Sequence, residues 1–153
     1  MARMEDETRS EIIHQMEQEQ WREAAGALEA LLDDQALVAG DRLWGLDNLG
    51  YVYYRLGRPR DALTCCRRAI ELSPEHAYAF KGQGVCLAQL GSLDEGVTSL
   101  LKAISLEPNF FDAYHDLAVV LLQGGYPEKA RPWAQRAYQL DPVRGEGLVR
   151  RFK

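Results

Sequence analysis

Apolar residues recur along most of the chain at helical spacing. Between residues 43 and 76, Leu46, Leu49, Gly50 and Tyr53 fall at i, i+3, i+4 and i+7, one stripe of an α-helix. Leu56-Gly57 closes that helix, with glycine where the chain turns left-handed after the last helical residue. Pro59 then opens a second helix, in a first turn where a missing N–H is harmless. Ala62, Leu63, Cys66, Ala69 and Ile70 form its apolar stripe. Ser73-Pro74 stops it, because proline restricts the residue before it and cannot continue the hydrogen-bond ladder.

The plan then repeats. Three segments ending in Pro74, Pro108 and Pro142 share the order polar-Leu-polar-Pro, with 34 residues between successive prolines. Gly57, Gly91 and Gly125 keep the same period, as do Leu72, Leu106 and Leu140, and Ala69, Ala103 and Ala137. A further slot is always small, with Ala62, Gly96 and Ala130. Such registered columns are the mark of a repeat array. In residues 77–110, Phe80, Gly84 and Leu87 line the first helix, and Ser92 is placed to cap the second, with Asp94 and Glu95 in its first turn. In residues 111–144, Tyr114, Leu117, Ala118 and Leu121 line the first helix and Pro127 opens the second. Pro132 lies five residues further on and predicts a kink or a late helix start.

The flanks follow a weaker version of the pattern. Residues 1–34 predict an acidic helix pair, with Ile12, Ile13 and Met16 on one helix and Trp21, Ala24, Leu28, Leu31 and Leu32 on the other. Residues 33–40 read as a linker, after which Asp41 is placed to cap the next helix. Residues 145–153 carry Leu148, Val149 and Phe152 among bases and predict a short basic cap on the last repeat.

These columns resemble the tetratricopeptide repeat family. Residues 43–76 supply its pattern at Leu46, Leu49-Gly50, Tyr53, Ala62, Ala69 and Pro74, departing at Cys66 where an aromatic is usual. Residues 77–110 carry Gln83 for leucine and Gly96 for alanine, and residues 111–144 carry Ala134 for an aromatic. Gly96 costs about 1 kcal/mol in a helix relative to alanine, which predicts a softer repeat there. Residues 8–32 read as a degenerate unit with Glu19 in place of the turn glycine. The resemblance implies an all-α right-handed superhelix, a solenoid of antiparallel helix pairs, whose first helices line a concave groove.

On that reading the groove stripe lies one position along from the core stripe. It comprises Trp44, Asp47, Asn48, Tyr51, Tyr54 and Arg55, then Tyr78, Lys81 and Val85, then Asp112, His115, Asp116, Val119 and Leu122. Aromatics combine large contact area with low ordering cost and dominate binding hot spots. The floor therefore suggests a protein-binding groove for an extended or helical segment, with Tyr51, Tyr54 and Tyr78 as anchors and the charges setting orientation. The competing expectations are that the chain's own ends cover these rings, or that the rings fill gaps between repeats. A family use that grips chaperone carboxylates needs lysine, asparagine and arginine at fixed groove positions. Only Asn48 is present; Arg9, Ile13, Tyr78 and Gly82 occupy other slots, so that role is not expected. Alternatives are a small chaperone for an apolar secretion client and a scaffold that self-assembles into homo-oligomers through its terminal helices.

Charge and composition narrow the classes. Net charge is −5, which argues against nucleic acid as the main partner. Residues 1–34 hold ten acids and three bases, residues 143–153 one acid and four bases, so the ends differ in sign. The longest apolar run, residues 117–122, is far too short to span a membrane, and the acidic start is no secretory signal. Three cysteines, Cys65, Cys66 and Cys86, make no disulfide framework and suggest a reducing, cytoplasmic setting. Asp112, His115 and Asp116 share a helix face and could hold a metal or act as a base, but nothing else supports them and a solvated face is the plainer reading. Gly82-Gln83-Gly84 falls inside a helix and lacks the lysine and hydroxyl of a phosphate loop. The expectation is a non-enzymatic binding module with no cofactor, no metal and a protein or peptide partner.

Overall fold

The computed structural model describes residues 1–152, and Lys153, the last residue of the expected basic cap, lies outside them. Helices α1 (Asp6–Glu17), α2 (Trp21–Asp33), α3 (Ala39–Arg55) and α4 (Pro59–Leu72) belong to one unit, Met1–Pro74. Helices α5 (Ala77–Gln89), α6 (Leu93–Leu106), α7 (Phe111–Gln123), α8 (Pro127–Leu140) and α9 (Pro142–Arg150) belong to a second, which begins at Glu75. The chain is all-α and built from paired helices, as the 34-residue period predicts. Among the described residues no helix is long and apolar enough to cross a membrane.

The same turn joins the helices of every pair. Gly57, Gly91 and Gly125 have φ of 71°, 90° and 88°, the left-handed conformation that glycine adopts without a Cβ clash. In each, the next amide donates five residues back, as from Arg58 to the Tyr53 carbonyl at 2.8 Å and from Ser92 to the Leu87 carbonyl at 2.9 Å. That pattern satisfies carbonyls which the helix end would leave open. The degenerate turn does the same with Glu19, at φ 55°, and with Gln20 donating to the Gln15 carbonyl at 2.8 Å. Glutamate thus occupies a conformation that costs an L-residue about 1–2 kcal/mol.

Several expected helix ends differ. Ser92 stands at the cap of α6, but its side chain makes no cap bond. Its backbone is held in the turn motif at ψ 65°, short of the extended geometry a capping side chain needs. Asp41 lies inside α3, which starts two residues earlier at Ala39. Its carboxylate instead accepts the Met4 amide at 2.8 Å and pairs with Arg9 at 2.9 Å. This fastens residues 2–4, which bridge the chain at Leu37 through Val38 N–H to the Ala2 carbonyl at 2.8 Å. Helix α8 starts at Pro127 with no delay, and carries Pro132 in its interior. Helix α9 begins at Pro142, ahead of residue 145, because Asp141 accepts the Arg144 amide and proline suits the first helical position.

The core of the first unit is made of Ile12, Leu28, Leu46, Leu49, Val52, Ala62 and Ala69, joined by Met4 and Leu37 from the two bridged segments. Val52 and Cys65 are buried, whereas Tyr53 and Cys66, placed on the core stripe by their spacing, are only half-buried. Tyr53 points its hydroxyl outward to donate to Glu29, as an amphipathic ring does at a core boundary. In the second unit, Leu100, Leu117, Val120, Leu121 and Ala130 form one cluster, and Ala118, Ala134 and Leu148 another. Two departures from the repeat pattern are compensated there. Gln83 donates to the Ser99 hydroxyl at 2.9 Å, so each polar side chain satisfies the other. Gly96 lies against Gly84 where α5 meets α6. A Cβ added at Gly96 would sit 2.7 Å from the Gly84 carbonyl oxygen. The glycine that predicts a soft repeat therefore permits close packing.

Candidate functional site

In the first unit α3 carries Trp44, Asp47, Asn48, Tyr51, Tyr54 and Arg55. Tyr51 and Arg55 are one helical turn apart, and the Arg55 guanidinium donates to the Tyr51 hydroxyl at 3.1 Å. Trp21, the first residue of α2, meets the Tyr51 ring edge-on, with centroids 5.9 Å apart and planes at 80°. Arg55 lies 4.8 Å from the Trp21 centroid and 5.9 Å from that of Tyr51, so one cation serves both rings. Glu19 is 3.9 Å from Arg55, a loose and exposed pair worth little. Tyr51 and Tyr54 remain 38% and 36% exposed, so the chain's own ends do not seal them.

Trp44 is different. Arg9 of α1 sits 4.6 Å above its ring, held there by Asp41, and the indole is half-buried. Asn48 turns its amide back onto the Trp44 carbonyl at 2.8 Å, and Asp47 is half-buried beside it. A cation over a ring at such a site is worth about 0.5–1 kcal/mol, so Arg9 is a cover that an incoming group can displace. On another face, Tyr53 donates to Glu29 with Arg58 over its ring at 4.4 Å. Burial first, and Glu29 second, hold that phenol well above its ordinary pKa.

In the second unit Tyr78 is 36% exposed, and Lys81 lies 4.8 Å over its ring. Lys81 also reaches Asp116 of α7 at 3.8 Å, and Asp116 is 3.3 Å from His115 Nδ1. Phe111 packs one turn before His115, with ring centroids 5.7 Å apart. Arg144 of α9 pairs with Asp112 and lies 4.2 Å over Phe111. Asp112 and Asp116 thus each face a cation. Among the described residues no three His, Cys, Asp or Glu side chains gather as a metal ion would need.

Three expected floor residues also pack against the core. Val85 and Leu122 are half-buried against the cluster of Leu100, Leu117 and Leu121. Val119 is half-buried against Ala134 and Leu148, under α9. Their branched side chains face apolar neighbours, where burial favours them. The sequence reading also left out Arg9, Glu19, Trp21, Phe111 and Arg144. Phe111 was readable from its four-residue spacing to His115, whereas the others arrive from different helices.

Two models of the tetratricopeptide repeat match, over residues 48–109 and 99–132. The chain belongs to the tetratricopeptide-repeat family. It is 38% identical over 82 residues to the TPR repeat-containing thioredoxin TTL4 of Arabidopsis thaliana, a match covering 54% of this chain and 12% of that protein. It is 33% identical over 81 residues to anaphase-promoting complex subunit 3 of Schizosaccharomyces pombe, covering 53% of this chain and 12% of that one. The chain therefore spans a small part of the curated relatives' length. Among solved structures, YrrB, a TPR protein with an unusual peptide-binding site, is 26% identical with a TM-score of 0.68, over 84% of this chain and 64% of that one. A MamA double mutant from RS-1 is 20% identical with a TM-score of 0.71, over 95% and 83%, which supports the fold alone. Tetratricopeptide repeats of this kind form a protein–protein interaction scaffold.

Proposed function

We propose that the open face of α3, completed by Trp21 of α2, binds an extended or helical segment of a partner protein. The observation that carries this reading is the Trp21–Tyr51–Arg55 stack beside an exposed Tyr54. It offers flat apolar area next to a guanidinium whose carboxylate neighbour is loosely held, so a partner can bury rings without first breaking a strong ion pair. Tyr51 and Tyr54 act as anchors, and Asp47 and Arg55 set orientation. In the second unit Tyr78 takes the anchor role, with Lys81, Asp112 and Asp116 in the orienting one.

The peptide-binding site named for YrrB supports this reading, as does a relative that is a subunit of a multiprotein complex. The same proposal takes the chain to be a non-enzymatic, cytoplasmic adaptor. Asp112 and Asp116, engaged with Arg144 and Lys81, suit orientation better than catalysis. The test is calorimetric titration of a co-purifying partner into the wild type and into Tyr51→Ala. Weaker binding by the substituted chain, with folding intact, supports the face; equal affinity removes it, and concentration-dependent light scattering without partner would favour self-assembly.

A further inference from the structure

The second unit has a cleft between α6 and α8, lined by none of the residues assigned to the proposed binding face. Leu93, Val97, Leu121 and Trp133 form its apolar lining, while Asp94 and Lys129 stand on the polar part. Its volume is about 510 Å³, within the range of pockets that hold a side chain or small ligand. One end is shaped by Gly124: a Cβ there would lie 2.6 Å from Leu93 Cδ2, so the glycine lets Leu93 fold into the turn.

The rim charges are unequal in their commitments. Lys129 lies over the Tyr126 ring at 5.0 Å, and Glu128 pairs with Arg131 at 3.6 Å. Asp94 has no ion-pair partner among the described residues, and its neighbour Glu95 in the first turn of α6 has none either. Lys129 keeps its charge over the ring, but Asp94 and Glu95 together outweigh it, so the charge outside ion pairs around this cleft is net negative. We propose that this cleft is a second docking site, which takes a partner-protein segment presenting a large apolar side chain next to a basic one. The apolar group fills the space between Val97 and Trp133, and the basic group meets Asp94. This site is independent of the α3 face, so the chain would engage two segments by different chemistry.

The test uses acetyl-Leu-Arg-amide as probe and acetyl-Leu-Glu-amide as control, titrated at millimolar concentration into the ¹⁵N-labelled chain. The expected result is amide shift changes confined to residues 93–98 and 126–133, with the basic probe binding more tightly by roughly three- to five-fold, the size of one exposed ion pair. Asp94→Asn abolishes that preference and Asp94→Lys reverses it. Gly124→Ala, which pushes Leu93 into the cleft, weakens both probes alike. Equal binding of the two probes, shifts located elsewhere, or no shifts with either probe overturns the proposal. Because the readout sits on α6 and α8, failure here leaves the α3 face untouched.

Discussion

Gly84 and Gly96 face each other across α5 and α6 so closely that a Cβ on either would lie 2.7 Å from the other's carbonyl oxygen. Helix propensity alone favours Gly96→Ala by about 1 kcal/mol. The contact reverses the sign, since backbone on both sides leaves no flexible side-chain end to give way. Overpacking of this sort costs about 1–3 kcal/mol. Gly96→Ala is therefore expected to lower the urea midpoint, and a higher midpoint would show that the two helices separate easily.

Glu19 offers the opposite case. It is the one non-glycine residue with positive φ among the described residues, in a turn where the later repeats use glycine. Glu19→Gly removes the left-handed penalty of about 1–2 kcal/mol and loses an exposed pair to Arg55 worth at most about 1 kcal/mol. Thermal unfolding is expected to move upward. A downward shift would mean that the Arg55 pair, or the flexibility gained by the unfolded chain, outweighs the strain.

Tyr53 predicts a dependence on alkaline pH. Its folded-state pKa lies above the unfolded value of about 10, so the folded form holds the proton more tightly. The stability this contributes is complete below that unfolded value and is lost as pH rises toward the folded one. Unfolding free energy should fall above about pH 10, and less steeply in Tyr53→Phe than in the wild type. At neutral pH the substitution should cost only about 1 kcal/mol, the hydrogen bond to Glu29. Parallel slopes for the two chains would locate the alkaline loss in other tyrosines.

How much of this was legible in the sequence follows from range. The helices and their turns come from local chemistry, such as Gly57 after a helix or Pro59 before one, and the period multiplies each signal. Faces are harder. Val52 and Cys65 are more deeply buried than the expected Tyr53 and Cys66, and Val85, Val119 and Leu122 are half-buried beside a core stripe that stays where its spacing puts it. The site's cation–ring and ring–ring contacts were least legible. Arg9 on Trp44, Trp21 on Tyr51 and Arg144 on Phe111 each join two helices, and no spacing within one helix encodes them.

The measurement that bears most directly on the α3 face is the affinity of a co-purifying partner segment for wild type and Tyr51→Ala, read by calorimetry alongside thermal unfolding of both chains. Loss of this anchor is expected to cost about 2 kcal/mol, roughly thirty-fold in affinity, with the chain still folded cooperatively and its unfolding transition lowered only by the lost Trp21 contact. Equal affinity for the two chains, with both folded, would contradict the account.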